Sequence, residues 1–418
     1  MAGAQSGATI TGQAVADTPL TQKHPRWRRL PRWGIWAARI LLVVIALLSA
    51  TLALTPAGRA ASRAALLFEP VIAASQSPAL GVVGEPIRHT TESFTTVSDN
   101  VYLDIYAPTS PAPAIPHARE GVIIIPGVGD NRQAAQLINL SESLARSGIV
   151  VMNMTTDILI NFTISPLDSE AVVQTYLRLA RWPGVDARRI GFLGLSAGGA
   201  LACFAAVDPR IRDAAAFLVL FGSYYNATDM LRDFGRRALL VNGHYQPWQP
   251  IGDPFDVPGY VLAQAIASTL PGDQGNIILN AFGPNSIPPN ASDLASLSPP
   301  ALAAYHLLAG DQPDRVEANI AALSPAMRTQ LQALSPSAFA PQIRAHIYLL
   351  HDASDPYVPF TESRDFDAAL TRLGRPHDYV EFSIFSHVEV RSGLGLGPLL
   401  GDGARLYRIL YEIMLPAS

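Results

Sequence analysis

Apolar and polar positions along this chain switch between two periods, and the switching predicts strands followed by helices for most of its length. Residues 100–106 (Asn-Val-Tyr-Leu-Asp-Ile-Tyr) alternate with period two, as a strand covered on one face does. Residues 121–125 (Gly-Val-Ile-Ile-Ile) are apolar without a break after the glycine, the pattern of a central strand covered on both faces. Residues 131–147 have helical spacing and stop at Gly148, a residue suited to a helix C-terminus. Strands are predicted at 149–154, 189–195 and 216–221, with helices at 167–181, stopped by Pro183-Gly184, and at 197–206. The rhythm fails from about 225 to 341, where proline and glycine interrupt helical pieces such as 261–269 and 300–308. It resumes with a strand at 346–350, a helix at 361–373, a strand at 378–384 and a helix at 404–414.

This alternation predicts an α/β fold with a doubly wound, mostly parallel sheet. An interruption of that length exceeds ordinary loops, so it is read as a largely helical cap at 226–341, inserted into a core made of 91–225 and 342–418.

The N-terminus follows another pattern. Residues 1–32 are small and polar and end in a basic run, Lys23, Arg26, Arg28, Arg29 and Arg32. Residues 33–54 are apolar on every face except for Arg39, and are long enough to span a hydrocarbon layer of roughly 30 Å. Arg39 sits near one end, where its stem reaches the headgroups, and Trp27, Trp33 and Trp36 suit the interface. The expectation is a transmembrane helix or signal anchor, then a linker at 55–90 with a short helix around 60–68. Basic residues are denser before the apolar stretch than after it, where Arg59 and Arg63 stand, which places the following domain on the extracytoplasmic side. The alternative is a cleaved signal peptide and a secreted protein.

Composition adds exclusions. Of 418 residues 49% are hydrophobic and 15% charged, with a formal net charge of −4. Such a chain has no basic field to hold nucleic acid. The single cysteine, Cys203, lies in the apolar run 200–205, which rules out an intrachain disulfide and a cysteine metal site and reads as a buried thiol. No metal-ligand motif is present. Gly127-Val128-Gly129 lacks the third glycine and the lysine of a phosphate loop, and the Gly393–Gly397 repeat does not directly follow a strand and is blocked by Pro398. It reads as a flexible loop, and no cofactor is called for.

The strongest local signal is Gly194-Leu195-Ser196-Ala197-Gly198, backed by Gly199, between a predicted strand and a predicted helix. In that setting G-x-S-x-G makes a sharp turn that lifts the serine hydroxyl above the sheet, and the small residues let strand and helix approach. Ser196 is therefore the candidate nucleophile.

On these residues the chain resembles the α/β-hydrolase family, in particular its dienelactone-hydrolase-like and prolyl-peptidase-like branches, over about residues 90–415. The resemblance implies a chain order of nucleophile, acid, histidine. His351-Asp352-Ala353-Ser354-Asp355-Pro356-Tyr357-Val358-Pro359 looks like the acid turn and points to Asp355, with Asp352 as the competitor; Phe385-Ser386-His387 supplies the histidine. The resemblance further implies an oxyanion hole from the backbone N–H of Ala197 and one from the loop after 121–125, for which Val128 is the choice and Gly127 the fallback. Where the family often has His-Gly, this chain has Pro126-Gly127, which removes a side chain but keeps the N–H groups.

The expected activity is a serine hydrolase working through an acyl-enzyme on a small acyl substrate, most simply a carboxylic ester. A peptidase or acyltransferase on the same fold is the alternative, and a non-catalytic membrane-tethered binding protein a third reading. Tyr224, Tyr225, Trp248 and Phe255 are candidates for lining an acyl pocket.

Overall fold

The structure, a computed structural model, describes residues 40–44, 47, 50–73, 75, 77–111, 118–250, 256–391 and 393–415. The chain divides into two compact units, Met1–Thr55 and Pro56–Ser418.

In the first unit, the basic tail 1–32 and residues 33–39, 45, 46, 48 and 49 of the expected membrane helix lie outside the described residues. Residues 40–44, 47 and 50–54 are helical, and Ile40, Leu41, Leu42, Val43, Val44 and Leu47 are each more than half exposed. Among the described residues no helix is long and apolar enough to cross a membrane.

In the second unit, ten strands carry the argument: β1 (Ile87–Thr95), β2 (Asn100–Pro108), β3 (Arg119–Ile125), β4 (Val150–Thr156), β5 (Val185–Leu195), β6 (Phe217–Phe221), β7 (Ala238–Val241), β8 (His244–Pro247), β9 (His346–Asp352) and β10 (His377–Phe382). Among the described residues, eight of them form one sheet in the order β1-β2-β4-β3-β5-β6-β9-β10, with β2 antiparallel to both its neighbours and the rest parallel. This order, with the crossing of β3 and β4, is the α/β-hydrolase arrangement.

The unbroken apolar run of β3 has a simple cause. Successive side chains of a strand point to opposite faces, and both faces here are covered. Ile123 and Ile125 enter a core with Tyr176, Leu179, Leu201 and Phe366, from helices Ser169–Ala180, Ala197–Ala205 and Phe360–Leu373. Val122 and Ile124 enter a second core with Leu67, Leu144 and Leu406, from helices Pro56–Ala73, Ala135–Arg146 and Leu396–Met414.

Between β6 and β9 the chain leaves the sheet. The hairpin of β7 with β8 and helices including Ala227–Arg236, Val257–Ala267, Pro299–Ala309 and Pro325–Ala333 pack into a third apolar core, which reaches Ala197, Ala200 and Phe204 of the helix after Ser196.

Two sequence expectations fail locally. The stretch 55–90, read as a linker with a short helix around 60–68, has that helix but in longer form, Pro56–Ala73, and also carries helix Pro78–Val83 and the start of β1. Alanines blur the helical pattern, although Ala60, Ala64 and Leu67 are buried. β1 is an edge strand, mostly exposed, so Arg88, His89, Thr90, Thr91 and Glu92 give it no apolar alternation. The expected flexible loop at 393–398 becomes helix from Leu396. Pro398 stands in the first turn, where its missing N–H breaks no helical bond.

Candidate active site

Ser196 is held in the turn between β5 and the helix Ala197–Ala205, at φ 52° and ψ −126°. Few non-glycine residues adopt a positive φ, and the strain is tolerated because the surroundings over-determine it. The Ser196 N–H donates to Phe221 O at the end of β6 across 2.8 Å. A side chain at Gly198 would overlap the Ile125 carbonyl, and one at Gly194 would meet Gly199 backbone. The small residues flanking the serine are thus contact requirements.

Asp355 lies three residues beyond β9 and is 1% exposed. Its Oδ1 accepts the backbone N–H groups of Tyr357 (2.8 Å) and Val358 (2.9 Å), while Oδ2 accepts His387 Nδ1 at 2.6 Å. Burial pushes this carboxyl up. The charge of His387, and hydrogen bonds from His351 and His387, more than offset that and hold it well below the usual carboxylate range. Asp352, the competitor, is occupied elsewhere: it accepts the Ser354 N–H, the Phe385 N–H and Arg391, bracing the acid turn against the segment that carries His387.

His387 follows the two-residue strand Phe385–Ser386, has φ 59°, and packs its ring on Tyr357 at 5.1 Å between centroids. With Nδ1–H given to Asp355, Nε2 is left as a proton acceptor. The ring lies beside Gly222, where an added Cβ would stand 2.9 Å from it. Ser196 and His387 therefore flank the same end of β6, one through Phe221 O and the other beside Gly222. Among the described residues no hydrogen bond joins the Ser196 hydroxyl to His387. Such bonds commonly tighten only when substrate is bound.

The Val128 and Ala197 N–H groups have no acceptor among the described residues, whereas the Gly129 N–H is committed to Leu159 O at 2.7 Å. Val128 and Ala197 line a cavity of about 50 Å³ together with Ser196. An added Cβ at Gly127 would stand 3.1 Å from Ser196 Cβ, so the loop passes directly over the serine.

The candidate aromatics divide. Tyr224 lines the cavity, and its hydroxyl donates to Leu334 O at 2.7 Å. Tyr225 instead stacks on Phe366 and borders a separate surface cleft, and Phe255 lies outside the described residues. Trp248 is absent from the cavity lining and donates its indole N–H to Asp355 O. Cys203 is fully buried, and burial raises its thiol far above its ordinary value, as an inert core thiol.

Two buried groups escaped the sequence reading. His351 sets Nε2 3.3 Å from Asp355 Oδ2 and 3.0 Å from Val358 O, with Nδ1 2.6 Å from Ser363 Oγ. Glu362 accepts the N–H groups of Tyr225 (2.8 Å) and Asn226 (2.7 Å), fixing the chain after β6; burial pushes its carboxyl well up. The only sequence signal for His351 was its place at the end of β9 beside the acid turn.

No family model matches the chain, and no curated protein matches it. Among solved structures it is similar to dipeptidyl peptidase 4 of Porphyromonas gingivalis, with 12% identity and a TM-score of 0.45 over 79% of this chain and 36% of that one. A puromycin-hydrolyzing peptidase of Mycobacterium tuberculosis matches at 14% identity and TM-score 0.46, over 78% of this chain and 40% of that one. A 2,6-dihydroxy-pseudo-oxynicotine hydrolase matches at 15% identity and TM-score 0.42, over 79% of this chain and 70% of that one. The chain thus spans about two fifths of the length of the two peptidases. Its strand order and the turn at Ser196 after its central strand give this protein the α/β-hydrolase fold.

Proposed function

We propose that this protein is a serine hydrolase that forms an acyl-enzyme at Ser196, acting on a carboxylic ester. The observation that carries the reading is the pair of His387 with the buried Asp355, set at the same strand end as Ser196. His387 Nε2 takes the hydroxyl proton as Ser196 Oγ bonds to the substrate carbonyl carbon. The carbonyl oxygen, now negative, is met by the N–H groups of Val128 and Ala197. His387 returns the proton to the leaving alcohol as its C–O bond breaks, leaving Ser196 acylated. Water, deprotonated by the same imidazole, then releases the acid and restores the serine. Asp355 keeps Nδ1 protonated and stabilises the imidazolium throughout.

A serine-directed fluorophosphonate should label the protein, and Ser196→Ala should abolish both labelling and esterase activity. Labelling that persists in this variant sinks the reading. The second reading is a peptidase, the activity carried by the names of two of the similar structures. The free Ser196 hydroxyl attacks an amide carbonyl as readily in geometric terms, with His387 protonating a leaving amine instead of an alcohol. Comparing p-nitrophenyl esters with aminoacyl p-nitroanilides separates the two.

We propose also that residues 33–54 anchor the protein in a membrane with the hydrolase domain on the extracytoplasmic side. The support is the apolar stretch behind a basic run, and the exposed apolar side chains of 40–44 and 47. Retention in the membrane fraction after alkaline carbonate extraction is expected; release would favour a cleaved signal and a secreted protein.

A further inference from the structure

The walls beside Ser196 carry almost no polarity. Val128 and Val358 come from loops of the sheet, Ile164 from the segment after β4, and Met230, Leu262 and Leu334 from the inserted segment. Among the described residues, the one polar side chain on the wall besides Ser196 is Tyr224, whose hydroxyl is already committed to Leu334 O. No charged side chain lines the cavity among the described residues. Among the described residues, two carboxylates that lie close in the chain to lining residues are engaged elsewhere. Asp355 is held by His387 and the N–H groups of Tyr357 and Val358. Asp256, which precedes Val257 of the wall, caps its own helix through the Gly259 N–H at 2.9 Å.

The size points the same way as the lining: only about 50 Å³ is open to the centres of water-sized groups, so the cavity is narrow beside Ser196. An ammonium placed against these walls would lose hydration on that side and find no counter-charge among the described lining residues, a cost an apolar wall does not repay.

We infer that this cavity is the acyl-side pocket and that it takes a short, uncharged, apolar acyl group. A free α-amino group or a long fatty chain does not fit. The inference rests on Ser196 being the nucleophile and adds the substrate class to that reading. The pocket constrains the acyl side alone, because the leaving group departs on the opposite side of the carbonyl. Each methylene accommodated in an apolar pocket is worth about fourfold, and one that must distort packed walls reverses the gain.

The test uses the full chain and a series of p-nitrophenyl esters from acetate to decanoate. Activity per KM should peak between acetate and butyrate and fall at least tenfold by octanoate. A matched pair then tests charge. Isobutyryl and alanyl p-nitrophenyl esters differ in a methyl against an ammonium, and are compared at a pH where the amine is protonated, after correction for their rates with hydroxide. The isobutyryl ester should be favoured at least tenfold. Octanoate equal to butyrate, or the alanyl ester equal to the isobutyryl one, would overturn the inference while fluorophosphonate labelling of Ser196 leaves the hydrolase reading standing. Absence of both labelling and turnover removes both. Met230→Ala, which enlarges the wall on the inserted side, should move the optimum to longer chains; an optimum unmoved in a folded variant also counts against the pocket.

Discussion

The indole N–H of Trp248 donates to the main-chain carbonyl of Asp355 across 2.9 Å. Trp248 follows the β7–β8 hairpin, its own N–H is given to Arg237 O, and its ring meets Phe234 edge-on at 5.3 Å. The inserted segment therefore grips the acid turn from outside, while the Asp355 carboxylate faces His387. Trp248→Phe keeps most of the ring packing and leaves a buried carbonyl without its donor, which costs about 1–3 kcal/mol. The denaturant midpoint should fall with the slope unchanged. A midpoint equal to wild type would show that the bond contributes nothing.

His351 and His387 share one carboxylate oxygen, and their roles differ. His387 reaches the side of Ser196; His351 is sealed in the core, bonded to Ser363 and placed against both Asp355 and Val358 O. Its removal should leave Asp355 a stronger base and bind the proton of His387 more tightly. In His351→Leu the acid limb of the kcat/KM profile is expected to move to higher pH, with kcat down roughly tenfold. His351→Gln, which retains a donor, should recover part of both. A lower rate with no movement of the limb would assign His351 to structure alone.

Gly222 separates the two halves of the site. It has φ +61°, and a Cβ there would press on the His387 ring at 2.9 Å and on Asp355 Oδ2 at 3.3 Å. The backbone strain of Gly222→Ala costs about 1–2 kcal/mol. Displacement of the imidazole should cost far more in turnover, at least about a hundredfold in kcat, since acid–base catalysis supplies roughly 10²–10⁴. Substrate KM should change little, because Gly222 does not line the cavity. Activity near wild type would mean that the ring is not held where it is described.

Asp168 offers a pH test unrelated to chemistry. It is fully buried, accepts the Thr156 hydroxyl at 2.7 Å, and leaves Oδ1 without a partner. Burial pushes it up to about 7, against the Thr156 bond, with Asp99 adding to the rise. In the unfolded chain the same carboxyl loses its proton near pH 4. Between those values the unfolded state holds fewer protons than the folded one, so this group makes stability fall as pH rises from about 4 to about 7, at up to about 1.4 kcal/mol per unit, and flat above. Asp168→Asn should therefore gain more, relative to wild type, at pH 8 than at pH 4 in thermal unfolding. Parallel curves for the two proteins would refute the assignment.

Much of the scaffold was legible because its periodicities are local. The apolar run 121–125, the turn around Ser196 and the strand at 100–106 each announce themselves within a few residues, and each is found. The strand, expected to be covered on one face, is buried on both from Leu103 to Ala107, because Asp104 and Tyr106 also meet packed neighbours. The edge strand β1 was not legible. Its exposed side chains need no apolar pattern, since its order comes from hydrogen bonds to β2. The inserted helices were only partly legible, because their apolar faces are shared among many short pieces around one core.

Residue types and spacing by themselves determined that a serine sits in a strained turn after a buried strand; the resemblance carried by that turn implied an acid turn and a histidine after later strands. Only the folded chain decided which aspartate meets His387. Asp355 and Asp352 are three residues apart and chemically identical, and their different partners come from segments about 30 residues away along the chain. The same holds for the cavity wall, for Trp248 on the acid turn and for His351 behind it. Contacts between distant segments leave no periodicity in the sequence, because burial and hydrogen bonding depend on what the fold brings alongside.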